Sequence, residues 1–127
     1  MKTIMKTNSN DRIIRLNVGG QHFITTQTTL CAVEGSLLAN MSRKYAQPIK
    51  IGGELFLDRN PIAFGVILDY LRDGCRVMVD LPSNKHNNDE TTLLQRLRTD
   101  ADYFGLPGLV LYCDTKLRIM QEAAKEE

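Results

Sequence analysis

The sequence predicts a mixed α+β (α/β) domain on three observations. Residues 13–18 alternate apolar and polar side chains, Gly19-Gly20 follows, and residues 21–26 resume the alternation. Period-two runs on both sides of a Gly-Gly pair are a β-hairpin signal, because primed turns need positive φ. Behind Asn60-Pro61, residues 61–73 place Phe64, Ile67, Leu68 and Leu71 on one helical stripe. Two more helical stripes follow, Leu93, Leu97, Ala101 and Phe104, then Leu109, Cys113, Leu117 and Met120.

Each element has a local cause. In the hairpin, Ile14, Leu16 and Val18 share a face, and the two-residue turn sets Leu16 opposite Phe23 and Ile14 opposite Thr25. Residues 28–33 read as a short helix ended by Glu34-Gly35. Ser36 caps a second helix through Leu37, Leu38 and Met41. Residues 43–53 form a loop with Pro48 and Gly52-Gly53, and Leu55, Phe56 and Leu57 a short strand. Asn60 is a good N-cap, Pro61 suits the first helical position, and Gly74 closes that helix. Val66 and Tyr70 lie off its main stripe, so it is expected to be covered on more than one side. Residues 76–81 have strand character, residues 82–89 a polar loop, and Asp89 caps the next helix, which Gly105 ends. Pro107 opens a last helix to about Lys125.

Composition narrows the function. With 127 residues, 43% hydrophobic and 24% charged, the chain suits one globular domain that needs no disulfide or metal to fold. A net charge of +1 gives no basic excess for a nucleic-acid face, and 6% aromatics without Trp give no base-stacking platform. No apolar run approaches the ~20 residues of a membrane span, and the polar residues 1–11 hold no signal-peptide core. Cys31, Cys75 and Cys113 form neither a CxxC pair nor a disulfide framework, which fits reduced thiols and a cytoplasmic location.

Sites for catalysis are not apparent. Gly19-Gly20 leads into a strand and not into a helix, so it is neither a Walker loop nor a dinucleotide fingerprint. His22 and His86 have no ligand at metal spacing. Asp100 and Asp102 stand two apart on a helix and point apart. No serine sits in a nucleophile elbow. The chain reads as a non-enzyme with no cofactor. Asp58 beside Arg59 suggests an ion pair at a surface or a subunit boundary.

Three blocks resemble one family. Arg15-Leu16-Asn17-Val18-Gly19-Gly20 with Phe23, Thr25-Thr26 and Thr29-Leu30 resembles the opening of the potassium-channel tetramerisation (BTB/POZ) domain. Phe56-Leu57-Asp58-Arg59-Asn60-Pro61, then Phe64 and residues 67–72 with Gly74, resembles its central strand and helix. Residues 101–106 with Gly108-Leu109 resemble its closing helix and turn. The order and spacing are the family's, closest to the soluble, KCTD-like members.

The resemblance implies a three-stranded sheet with a flanking cluster of helices, occupying residues 12–117 between a flexible segment 1–11 and a helical extension 118–127. It implies a homo-oligomerising interaction module, tetrameric or pentameric, acting as a scaffold or adaptor. Related proteins recruit a Cullin-3 ubiquitin ligase; the alternative is an oligomerisation domain that regulates longer BTB relatives and has no ligase role. By the resemblance, the assembly interface falls on Arg15, Asn17, Gly19, Gly20 and Gln21 of the hairpin and on Asp58, Arg59 and Asn60. A partner contact falls on Met41, Ser42, Arg43 and Tyr45, where the soluble members often carry Met-Phe and this chain has Met41-Ser42. The channel zinc motif is absent, and neither a pore nor a second domain is expected.

Overall fold

A computed structural model describes residues 11–44, 53–77 and 88–125. Strands β1 (Ile13–Val18) and β2 (Gln21–Thr26) form the expected antiparallel hairpin, with Leu16 opposite Phe23 and Ile14 opposite Thr25. Gly19 and Gly20 hold φ of 57° and 99°, the positive pair that a two-residue primed turn requires. Ile14, Leu16 and Val18 are fully buried, so the alternation turns one face of β1 to the core and leaves the other open.

Strand β3 (Leu55–Leu57) lies parallel to β1 on its other side, giving the sheet order β2-β1-β3. A parallel neighbour needs a long crossover, and here β2 and two short helices intervene between β1 and β3. Helix α1 (Gln27–Leu30) starts one residue earlier and ends sooner than the expected 28–33. Its start is set by Thr26, whose hydroxyl accepts from the Thr29 amide, and by Asp11, whose carboxylate accepts from the Thr28 amide at 3.0 Å. Asp11 is therefore anchored; residues 1–10 of the expected flexible segment lie outside the described residues. Ser36 caps α2 (Leu37–Arg43) as expected, accepting from the Ala39 amide at 3.1 Å.

Helix α3 (Pro61–Arg72) begins at the predicted cap, with Asn60 Oδ1 accepting from the Ala63 amide at 2.9 Å and Pro61 in the first turn. Tyr70 is buried and Val66 half-buried beside the main stripe, so more than one side of α3 is covered. Helices α4 (Asn88–Phe104) and α5 (Pro107–Lys125) form an antiparallel hairpin turned at Gly105. Here three expectations change. The inner face of α4 carries Leu94, Leu97, Ala101 and Phe104, and Leu93 is only half-buried. The helix begins at Asn88, which places Asp89 within it and not at its cap. Arg76 and Val77 are not in a strand, and residues 78–81 lie outside the described residues.

One core joins the layers. Phe64 of α3 sits between Phe23 and Phe104, edge-on to both, with ring centroids 5.1 and 5.8 Å away. Such arrangements suit the ring quadrupoles. Cys113 is in the same core, and burial, with the nearby Asp114 charge second, pushes its thiol up to about 11. The folded value lies above the ordinary 9.0, so this group lends stability that is intact at neutral pH. That contribution is lost as pH rises from about 9 to about 11. A maleimide at pH 8 should label the half-buried Cys31 and Cys75 while Cys113 reacts only on unfolding, as peptide mass mapping with and without urea will read.

Candidate functional site: two faces around the hairpin turn

The open face of the sheet is the first of the two. Register places Ile13, Arg15 and Asn17 of β1, His22 and Ile24 of β2, and Phe56 of β3 on it. Ile13 and Ile24 are each 54% exposed and Phe56 51%. His22 and Glu54 bridge the two edge strands across this face. Three large apolar side chains on one open sheet are an interaction feature more than a solvated one.

The second face begins at the β1–β2 turn and continues along α4. The Gly19 amide donates to Leu57 O at 2.9 Å, and the Gly20 amide donates to Asn17 Oδ1 at 2.8 Å, so Asn17 braces the turn from within its own hairpin. The β3–α3 turn, Asp58-Arg59-Asn60, passes directly over Gly19. A Cβ at Gly19 would stand 2.5 Å from Arg59 O, whereas one at Gly20 would meet nothing within 4 Å. Gly19→Ala therefore combines a positive-φ penalty with a backbone collision, and Gly20→Ala has only the penalty. We expect about 3 kcal/mol lost for the first and about 1 for the second by urea unfolding, from the left-handed cost of an L-residue plus the displacement.

Arg59 does not pair with its neighbour Asp58, as the sequence suggests. Its guanidinium reaches across to α4 and donates to Asp100 Oδ1, and it stacks over the Tyr103 ring at 4.1 Å. The Asp100 side chain is only 5% exposed and that of Arg59 27%. Arg59 is thus an intramolecular strut between the turn and α4. Asp58 stays exposed and has no ion-pair partner among the described residues.

Gly19, Asp58, Arg59 and Asn60 come together with Gln95, Thr99 and Asp100 in a groove of about 640 Å³. Gln21 is exposed at the hairpin end, and Arg15 is on the open sheet face. Asp100 carried a legible signal: it interrupts the apolar stripe between Leu97 and Phe104, and a charge facing a core needs a partner. Sequence could not say that the partner is Arg59, 41 residues away.

The α2 segment is separate. Met41 is half-buried against the core. Ser42 is buried, its hydroxyl donating to Ala39 O at 2.9 Å and lying 3.1 Å from Cys31 Sγ. Arg43 is exposed and forks onto both carboxylate oxygens of Glu34 at 3.0 Å. Tyr45 lies outside the described residues.

The family model of the BTB/POZ domain, potassium-channel tetramerisation type, matches residues 14–113. The chain belongs to the BTB/POZ family. The three-stranded sheet with its helices is consistent with the α+β BTB/POZ fold. The match spans β1 through the first half of α5, and α5 runs on without a break to Lys125. BTB/POZ domains are protein-interaction modules, and that is the function class of this chain. Among the described residues no helix is long and apolar enough to cross a membrane.

Proposed function

We propose that this BTB/POZ domain assembles with copies of itself into a closed ring of four or five protomers and serves as a scaffold for other proteins. The supporting observation is the presence of two dissimilar faces on one protomer. The open sheet carries apolar side chains beside Arg15. The turn and groove carry the exposed Asp58 carboxylate, which has no ion-pair partner among the described residues. Unlike surfaces meeting head to tail close into rings when the rotation permits, and charges in such contacts set register and partner choice.

Sedimentation velocity of the wild type and of Asp58→Arg tests this. Asp58 is exposed, so the substitution spares the fold. The wild type should sediment as an oligomer, and the variant should shift toward protomer at equal concentration. A wild type that stays a single protomer contradicts the ring, and an unchanged variant removes the turn from the interface.

Recruitment of Cullin-3 through the C-terminal end of α2 is the narrower part of the proposal. The inward turn of Ser42 leaves Met41 and Arg43 as its described contact candidates. Calorimetric titration with Cullin-3 decides it: binding that Arg43→Glu and Met41→Asp weaken supports the adaptor role, and no heat of binding favours a module that only sets stoichiometry or joins longer BTB relatives.

A further inference from the structure

The fold leaves Ile62 unexplained. It stands 67% exposed at the second position of α3, although Asn60 and Pro61 already satisfy that helix start. Such first-turn positions favour Asp or Glu, because the free amides and the helix dipole attract negative charge. Ile62 is not alone there. Together with the half-buried Leu93 of α4 and with Asn60, Thr92 and Arg96 it lines an apolar hollow of about 280 Å³. Asn60, Thr92 and Arg96 also line the polar groove, so the hollow is that groove's outer continuation along α3 and α4.

One residue sets the charge of the rim. Arg43, Arg59, Arg72, Arg98 and Arg118 each reach a carboxylate of this chain. Arg96 is exposed and has no such partner among the described residues. It is also the one charged side chain among the described residues that line the hollow. Asp100, one turn further along α4, is held by Arg59, and Asp58 lines the groove but not the hollow.

Aliphatic walls with a guanidinium at the lip are complementary to a segment that sets an apolar side chain close to a carboxylate. Apolar anchors in grooves and acidic motifs on arginine are two recurring modes of peptide recognition. The hollow suits one anchoring side chain better than a cofactor, whose sites run to about 300–1,000 Å³. A lone cation is not the cluster of about four to eight that draws a protein to an anionic membrane. We propose that this hollow docks short acidic-aliphatic segments of other proteins. A Leu, Ile or Phe of the segment seats between Ile62 and Leu93, and a neighbouring Glu or Asp accepts from Arg96. The inference rests on the scaffold part of the reading above and not on the ring.

Display of random short peptides on phage against the full chain tests it, with enriched peptides synthesised and titrated by fluorescence polarisation. Enriched sequences should share an aliphatic residue or Phe close to a Glu or Asp. Arg96→Glu and Ile62→Asp should each weaken their binding by about tenfold or more, as loss of a charge-assisted or anchoring contact does. Both variants should keep the wild-type far-ultraviolet circular dichroism, and Arg118→Glu, the same charge change on a remote exposed part of α5, should bind as wild type. Peptides carrying Lys in place of the acid should bind Arg96→Glu better than they bind the wild type. Peptides that bind both variants as tightly as the wild type would overturn the hollow and leave the scaffold reading standing. Anchoring that depends on Ile62 without any shared acid would overturn the role of Arg96. Failure of every peptide to enrich would overturn the docking site and leave the scaffold reading to folded partners. A fall in oligomer mass with Ile62→Asp would assign the hollow to a second copy of the chain and overturn the inference as well.

Discussion

Arg59→Ala should lower the unfolding free energy by about 3–5 kcal/mol, the range for removing one member of a buried ion pair. The loss is large because of what remains. Asp100 is 3% exposed, and without the guanidinium both of its carboxylate oxygens lack a partner among the described residues. The stack over Tyr103 goes as well, worth about 0.5–1 kcal/mol at a half-exposed ring. Replacing both partners separates the value of the pair from the cost of breaking it. Arg59→Met with Asp100→Leu should recover most of the stability, since apolar substitutes for a buried pair are often neutral or better. Urea midpoints of the single and double variants at one protein concentration give the answer. A loss below about 1 kcal/mol, the ordinary range of an exposed pair, would mean that the strut is a surface contact after all.

Phe64→Ala should be comparably costly, about 3–5 kcal/mol as for large-to-small aromatic changes in a core. Phe64 is fully buried and is the only ring, among the described residues, in edge-on contact with both the β2 ring Phe23 and the α4 ring Phe104. Its removal opens a cavity where sheet, α3 and α4 meet. Phe64→Leu keeps most of the volume and should cost less than half as much. Denaturant unfolding followed at two wavelengths checks both values, and equal losses for Ala and Leu would contradict the packing described.

The two variants act on different kinds of information, and that difference governs what could be read from the chain. Phe64 was legible. A helical stripe behind a cap is a local pattern, and the cap, the proline and the stripe all point to one helix. The hairpin was legible for the same reason: Gly19-Gly20 between alternating runs leaves one register that buries Ile14, Leu16 and Val18 together. Ser36, Asn60 and Pro107 marked helix starts correctly because caps are set within a few residues.

Phase and distance were not legible to the same degree. Leu93-Leu94 offers two apolar residues in succession, and a stripe can be drawn through either. Only tertiary packing decides that Leu94 turns inward while Leu93 lines the outer hollow. The α1 start depends on Asp11 reaching the Thr28 amide from before β1, a contact that no local pattern contains. For the candidate interface, motif order supplied Gly19 and Asp58-Arg59-Asn60, but not the α4 wall opposite them. The Arg59–Asp100 bridge spans 41 residues, and its only trace in the sequence is an aspartate interrupting an apolar stripe. Adjacent charges such as Asp58 and Arg59 invite pairing with each other on paper, and folding instead sends the arginine to the charge that burial has made costly.

The central claim is self-assembly through dissimilar faces, and light scattering coupled to size exclusion at two protein concentrations tests it most directly. The predicted result is a mass of four or five protomers that holds at the higher concentration. A single-protomer mass at both concentrations would contradict the ring and leave the open sheet face to a different partner.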